Sequence, residues 1–161
     1  MPTTQEQSAA MNDMIPLGLF LIATAAAAVT GSQFAPGPWY KQLNKPSWTP
    51  PPWAFPVVWT ILYIMIAIAG WKAWQAQGFG PLVMIWIVQL ILNALWSWIM
   101  FARKQIGWAL ADIAAMWVAI AAFIVAAWPV SQTAGLLFVP YLAWVTVAWT
   151  LNLRVYQLNP A

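Results

Sequence analysis

The sequence predicts an all-α membrane protein: a bundle of five transmembrane helices with a Pro/Trp-rich loop between helices 1 and 2. Three observations lead to this fold class. The chain of 161 residues is 63% hydrophobic, and only 6% of its residues are charged. A soluble domain has about 25% charged residues, so this chain has too few to cover a surface that faces water. The mean hydropathy is +0.73, and the apolar residues fall into five runs separated by short polar breaks.

The five predicted spans are each near the ~20 residues that cross ~30 Å of hydrocarbon as an α-helix. The segments QGFGP, RKQIG and WPVSQT separate the later spans and are typical of turns. Residues 1–14 form a polar tail without Lys or Arg, so the first span is predicted to be a retained helix rather than a cleaved signal peptide. One transmembrane domain, 15–158, is expected, with spans at about 15–32, 53–74, 81–101, 106–128 and 134–153 and a first loop at 33–52.

The charged and reactive residues exclude several classes of function. Six cations against three anions are too few for a nucleic-acid surface. The absence of cysteine excludes a disulfide, an Fe–S cluster and thiolate chemistry, and the absence of histidine excludes imidazole–haem ligation, His-dependent triads and His–metal sites. No metal and no required cofactor are expected.

The cations also predict an orientation in the membrane. Because successive spans end on alternating sides, the 33–52 loop, the 102–105 turn and the C-terminus share one face. The positive-inside rule makes this cation-rich face cytoplasmic and the N-terminus external, which suits a bacterial cell membrane. The face holds Lys41, Lys45, Arg103, Lys104 and Arg154, against Lys72 alone on the other.

Four residues with an amide or carboxyl side chain lie within or at the ends of the predicted spans. Gln89 and Asn93 are four residues apart and therefore lie on one helical face, and Asn152 closes span five. Interhelical hydrogen bonding is one interpretation of these amides. Asp112 is either an interfacial ion-pair partner of the 103–104 cations or, as an ionisable residue inside a membrane span, part of a functional site.

The tryptophans divide by depth. Those near span ends, such as Trp53, Trp108 and Trp128, are typical of the interfacial belt. Trp59, Tyr63, Asn93, Trp96, Asp112, Trp144 and Ala148 come from four different spans, yet all lie between the predicted cytoplasmic end and the midplane. Equal depth on separate helices predicts an aromatic, sparsely polar pocket that opens toward the 33–52 loop, a composition typical of small-molecule sites.

The loop itself is stiffened before span two, in the segment NKPSWTPPPWAFPVVW. Pro50 and Pro51, with the next proline, favour polyproline II geometry and delay the helix until about Trp53. A rigid segment that loses little conformational entropy on closing suits a lid, with Trp39 and Trp48 as anchors. The alternative is a stiff interfacial loop without a ligand.

Four segments carry a resemblance to a known family: WYKQLNKPSWTPPPWAFPVVWTILY, QLILNALW, GWALAD and VPYLAWVTVAWTLN. In order and spacing they resemble the TspO/MBR family, the tryptophan-rich sensory proteins of bacteria and the mitochondrial translocator protein. The Trp-x-Pro-Pro and Pro-Tyr-Leu-x-Trp elements together are the specific part of this match, which extends over almost the whole chain beyond the polar tail.

The resemblance implies a five-helix bundle, commonly a homodimer, whose pocket binds porphyrins such as protoporphyrin IX, isoquinoline or benzodiazepine drugs and, in animal members, sterol. The first loop is the family's lid. The family's pocket positions add Trp108 to the residues found by depth and support Trp96 and Asp112. The expected ligand-binding set is Trp59, Tyr63, Asn93, Trp96, Trp108, Asp112, Trp144, Ala148 and Leu151.

The chain also departs from the family's pattern. The cholesterol-recognition pattern of animal members is absent, because Tyr141 lies too far before Arg154. The small-residue ladder proposed as a dimer seam on helix three is also missing. Ladders occur instead at Ala23/Ala27/Gly31 and at Gly107/Ala111/Ala115/Ala119, so the dimer interface stays open.

Three functions are therefore compared. A porphyrin-binding receptor or sensor that tunes tetrapyrrole or stress responses is expected first. A porphyrin or sterol transporter is the alternative, although no span carries a charge at its midplane to couple protons and five spans do not divide into inverted repeats. An enzyme is not expected, except for light- and oxygen-dependent porphyrin degradation, in which Trp59 and Trp144 would take part by the resemblance.

Overall fold

The computed structural model describes residues 4–160, with side chains from residue 14 onward. Helices are the only regular elements in this described part of the chain. A π-helical turn at Trp98–Ala102 continues α4. The helices are α1 (Thr4–Gln33), α2 (Pro38–Gln42), α3 (Ala54–Gln77), α4 (Pro81–Ser97), α5 (Ile106–Ala127) and α6 (Gln132–Leu158).

Five of these helices are long and apolar enough to cross a membrane, so the predicted fold class is confirmed. The five spanning helices pack in the order α1, α3, α6, α5, α4 and back to α1, which closes a ring, and α3 also contacts α4 across it. The spanning segments are Met14–Gln33, Ala54–Gln77, Pro81–Ala102, Ile106–Ala127 and Gln132–Leu158.

The start of α1 differs from the sequence-based expectation. The helix begins at Thr4, within the segment expected to be a polar tail. Residues 4–13, TQEQSAAMND, contain several good helix formers, so the change in composition near Ile15 falls inside a helix. The apolar, membrane-spanning part begins at Met14.

Local signals explain where the later helices begin and end. Pro56 lies in the first turn of α3, where its missing N–H has no intrahelical partner to lose. Gly78 ends α3 with a φ of +67°, a conformation that favours glycine, and its N–H bonds the Trp74 carbonyl at 2.7 Å. Pro81 opens α4 as its first residue. The Ser131 side chain caps α6 by accepting from the Ala134 N–H at 3.4 Å.

The interior has two apolar clusters. The larger one runs through the bundle and includes the stacked rings of Phe123 and Phe138, 4.0 Å apart. The smaller one, the loop-side cluster, joins the end of α4 to α5 and α6. It consists of Met100, Ala109, Leu151 and Val155.

The two small-residue ladders lie in different environments. On α1, Ala27 is 5% exposed, and a methyl group at Gly31 would lie 3.8 Å from Ser97 Oγ on α4, so this ladder packs inside the bundle. On α5, Gly107, Ala111 and Ala115 are exposed. A homodimer through either face stays a prediction.

Candidate functional site

Five aromatic residues of the packed helices α3 and α6, here called the aromatic cluster, form a group of three rings and a neighbouring pair. The rings of Trp59 and Tyr63 are stacked with centroids 5.3 Å apart. Trp59 also meets the edge of Tyr141 at 6.1 Å, and Phe55 meets Trp144 edge-on at 5.6 Å. Such offset and edge-to-face pairs are the favourable geometries of aromatic rings. The aromatic cluster is therefore Phe55, Trp59, Tyr63, Tyr141 and Trp144.

A chain of hydrogen bonds joins the aromatic cluster to α4. The Tyr63 hydroxyl donates to Asn93 Oδ1 at 2.9 Å, and Asn93 Nδ2 donates to the Tyr141 hydroxyl at 3.0 Å. The Tyr141 hydroxyl in turn donates to Gln89 Oε1 at 3.0 Å, with Met116 Sδ on α5 also within reach at 3.4 Å. Both ends of the Asn93 amide thus have protein partners, as the interhelical interpretation of the amides requires.

Two buried polar atoms beside this network have no hydrogen-bond partner: Trp144 Nε1 and Asp112 Oδ2. Asp112 lies within electrostatic range of the Tyr141 hydroxyl, and Trp144 follows Tyr141 by three residues on α6. The ion pair considered for Asp112 is not formed within the described residues; Arg103 instead lies over the Trp98 ring at 5.5 Å. Buried polar atoms without a hydrogen-bond partner are costly and rare in folded proteins. Trp144 Nε1 and Asp112 Oδ2 therefore mark the part of the interior where hydrogen bonds are missing.

A second group of predicted residues lies nearer the loop. Trp96 Nε1 donates to Asn152 Oδ1 at 3.1 Å, and Asn152 Nδ2 donates to the Ile106 carbonyl at 3.3 Å. Leu151 belongs to the loop-side cluster. Ala148, one turn after Trp144, packs against the larger core. Asn152 thus has a structural role, tying α4 and the start of α5 to α6.

One predicted residue lies apart from these groups. Trp108 is 70% exposed, whereas the next residue, Ala109, is fully buried in the loop-side cluster. The side chain of Trp108 thus points out of the bundle, as expected of a tryptophan in the interfacial belt, and its place in a ligand site stays a prediction.

The loop between α1 and α3 covers the loop-side cluster. Trp39, Tyr40 and Leu43 pack against it, and burial raises the pKa of the Tyr40 phenol. The Asn44 N–H donates to Asn159 Oδ1 at 2.9 Å, and Asn159 Nδ2 donates back to the Asn44 carbonyl at 3.0 Å. These reciprocal bonds, here called the Asn44–Asn159 clasp, fasten the loop to the C-terminal end of α6.

The lid anchors divide between packed and exposed positions. Trp39 is among the residues that pack against the loop-side cluster. Trp48 is 49% exposed, and Pro50 and Pro51 lie in the irregular stretch before α3. The loop therefore contacts the bundle mainly through its first half, and its action as a lid stays a prediction.

Two grooves open on the outside of the bundle beside the aromatic cluster. The α3/α6 groove encloses about 360 Å³ and is lined by apolar side chains, among them Ile61 and Met65 of α3 and Ala143 and Trp144 of α6. The α1/α3 groove encloses about 250 Å³ and includes Tyr63. Each groove therefore has one member of the aromatic cluster in its wall.

Sequence reasoning missed Phe55 and the central place of Tyr141. Tyr141 is fully buried and contacts groups from α3, α4 and α5. Its spacing of three residues from Trp144 places both on one face of α6, and this was the available signal. The spacing of four between Phe55 and Trp59 is the corresponding signal on α3.

The geometry defines a class of protein: a multi-pass integral membrane protein whose helices enclose aromatic side chains and a buried hydrogen-bond network. Groups of three or more His, Cys, Asp or Glu side chains that could hold a metal ion are not found among its described residues. What this arrangement offers chemically is planar apolar contact, one unpaired indole donor and one unpaired carboxyl oxygen.

Comparison with known proteins identifies the family. Residues 15–158 match the TspO/MBR family, so the chain belongs to it and the resemblance seen in the sequence is confirmed. It is 41% identical to the tryptophan-rich sensory protein of Cereibacter sphaeroides over 140 residues, 87% of this chain and 89% of that protein. It is 39% identical to protein CrtK of Rhodobacter capsulatus over 146 residues, 88% and 91% of the two chains. Identity to the human translocator protein is 37% over 153 residues, 90% of each chain.

Proposed function

We propose that this protein is a membrane receptor or sensor that binds porphyrins, protoporphyrin IX-like tetrapyrroles, in the interior site around the aromatic cluster, and so tunes tetrapyrrole or stress responses. The observation that carries the proposal is the unpaired indole N–H of Trp144 within a set of packed aromatic rings. A planar apolar molecule with a hydrogen-bond acceptor would stack against these rings and satisfy that donor. The names of the relatives, a sensory protein and translocator proteins, support a membrane sensor or translocator.

The polar network supports a role in shaping the site. Tyr141 bonds both Asn93 and Gln89, and Tyr63 donates to Asn93, so these bonds hold α3, α4 and α6 in register. Trp59 and Trp144 then provide the apolar surface, and Asp112 provides the remaining polar contact. Sterols and isoquinoline or benzodiazepine drugs are further candidate ligands of the same surface, and no cofactor is required for any of them.

The orientation is part of the proposal. The Asn44–Asn159 clasp supports a shared face for the loop and the C-terminal end of α6. Lys41, Lys45 and Arg154 lie in these two segments. By the positive-inside rule this face is cytoplasmic, in a bacterial cell membrane, and the N-terminus is external.

Titration of the purified protein with a porphyrin panel, in darkness and in light, tests the function. Tryptophan quenching and the Soret band report binding. Trp144→Ala and Trp59→Ala should each weaken protoporphyrin IX binding about tenfold or more, because stacking worth ~1 kcal/mol and further buried contact are lost. Trp128→Ala, at the end of α5, is the control. Unchanged affinity in both well-folded variants would place the site elsewhere.

The alternative functions give different results in related assays. Porphyrin flux into proteoliposomes that depends on the protein would favour a transporter. Loss of the Soret band only under light and oxygen would favour porphyrin degradation, with the indoles of Trp59 and Trp144 as oxidisable partners. A receptor should bind porphyrin in darkness and show neither porphyrin flux into proteoliposomes nor loss of the Soret band.

A further inference from the structure

The α3/α6 groove is the feature that the proposed binding site does not yet explain. It lies on the outer surface of two membrane-spanning helices, and Ile61 is 54% exposed in its wall. With about 360 Å³ of space, it falls at the lower end of the range typical of small-molecule sites. Within a bilayer, such a groove is open to the hydrocarbon rather than to water.

Trp144 connects this groove to the interior. Its side chain lines the groove, and the same ring meets Phe55 in the aromatic cluster. Its Nε1 is nevertheless buried and without a partner. The Trp144 side chain thus borders both the lipid-facing groove and the proposed site, and it carries an unused hydrogen-bond donor.

The α6 wall of the groove also lacks one backbone hydrogen bond of the helix. Pro140 lies inside α6 and lines the groove. Because proline has no N–H, the helical bond to the carbonyl of Leu136, four residues earlier, is missing. Helices bend most readily at such positions, so α6 can move away from α3 here at a lower cost than elsewhere.

The approach to the site from the side of the loop is covered. Trp39 and Tyr40 of the loop pack on the loop-side cluster, and the Asn44–Asn159 clasp fastens the loop to α6. A porphyrin-like ligand is largely apolar and concentrates in the bilayer rather than in water. It therefore reaches the bundle from the bilayer, where the α3/α6 and α1/α3 grooves are open, and of these two grooves the first has Trp144 in its wall.

We propose that the α3/α6 groove is a lateral entry site through which a planar apolar ligand carrying a hydrogen-bond acceptor passes from the bilayer to the aromatic cluster, with Trp144 as the gating side chain. This inference rests on the proposed function. It names the route and the polar group by which the ligand is first recognised.

Blocking the groove tests the route. Ala143→Phe places a ring in the α3/α6 groove, and Ile61→Trp does so from the α3 wall if the first variant folds poorly. Ala25→Phe blocks the α1/α3 groove, and Ala122→Phe adds the same ring to an exposed position of α5. Proteoliposomes of each variant are mixed with vesicles preloaded with protoporphyrin IX, and tryptophan quenching is followed by stopped flow, with dissociation measured into empty vesicles.

The expected result is that Ala143→Phe slows association and dissociation together, about fivefold or more, with Kd unchanged, because raising only the barrier along the route lowers both rates by the same factor. The α5 and α1/α3 variants should match the wild type. Slowing by Ala25→Phe alone would assign the route to the other groove, and unaltered rates in Ala143→Phe and Ile61→Trp would also refute the proposal. A raised Kd with unchanged association would make the groove a contact of the bound ligand instead. These three results would refute the entry route but not the proposed porphyrin binding. Absence of porphyrin binding by the wild type would refute the proposed function.

Discussion

Replacing Tyr141 with phenylalanine removes one oxygen atom from the centre of the bundle. The ring contacts with Trp59 and Phe138 are kept, because only the hydroxyl is lost. Two hydrogen bonds are lost, one accepted from Asn93 Nδ2 and one donated to Gln89 Oε1, both at 3.0 Å. The freed Gln89 amide is fully buried and that of Asn93 almost so, so neither finds water in exchange.

The magnitude follows from these two bonds. Hydrogen bonds between membrane helices contribute about 0.6 kcal/mol on average and up to about 1.7, while a buried polar group left without a partner costs about 1–3 kcal/mol. Gln89 keeps its bond from Nε2 to the Trp86 carbonyl, which limits the loss to one of its two amide atoms. We therefore expect Tyr141→Phe to lower the free energy of unfolding by about 1–3 kcal/mol.

The assay is reversible unfolding in mixed micelles by titration with sodium dodecyl sulfate, followed by circular dichroism. Tyr156→Phe is the matched control, because Tyr156 is 50% exposed near the end of α6 and removing its hydroxyl breaks no bond between helices. Equal unfolding free energies for the two variants, within about 0.5 kcal/mol, would refute the reasoning. The network would then be a consequence of packing and not a source of stability.

Four further variants test other parts of the structure. Gly70→Ala should destabilise the bundle by about 1–3 kcal/mol in the same titration, because the added methyl group would lie 2.6 Å from both Phe20 and Trp86; wild-type stability would show that these rings shift freely. Ala148→Thr should leave the melting temperature unchanged but weaken porphyrin binding by crowding the site. An affinity equal to that of the wild type would show that the site does not extend to Ala148. Asn159→Ala opens the clasp, and a second variant replaces Pro50, Pro51 and Pro52 with glycine. Both variants should show faster proteolysis of the 33–52 loop and faster porphyrin release, because ordering the loosened loop costs about 1 kcal/mol more for each freed residue. Unchanged release with a collapsed melting temperature would give the loop a structural role only.

The depth of each residue in the membrane was predictable from the sequence, and the residues grouped by equal depth include much of the candidate site. The apolar runs fix where each helix crosses the membrane, so residues of equal depth can be grouped without a structure. This grouping brought Trp59, Tyr63, Asn93 and Trp144 together, and the contacts of Tyr63 with Asn93 and with Trp59 follow from it.

Rotation about each helix axis was not predictable, because it depends on packing between helices. On α5, Trp108 and Ala109 have nearly the same depth, yet Trp108 faces outward and Ala109 is fully buried. Both residues are compatible with an apolar span, so no periodicity of polar residues distinguishes the two faces. The central place of Tyr141 was missed for the same reason, because its contacts depend on which helices pack around α6.

The indole N–H of Trp144 gives the most direct test of the proposed site. The protein has 14 tryptophans, and in ¹⁵N-labelled protein each indole N–H gives a separate resonance that substitution, here Trp144→Phe, can assign. On titration with protoporphyrin IX the Trp144 resonance should move and saturate with the Kd found by fluorescence quenching, while that of Trp53, which is 68% exposed, stays in place. A stationary Trp144 resonance at saturating porphyrin would contradict the account.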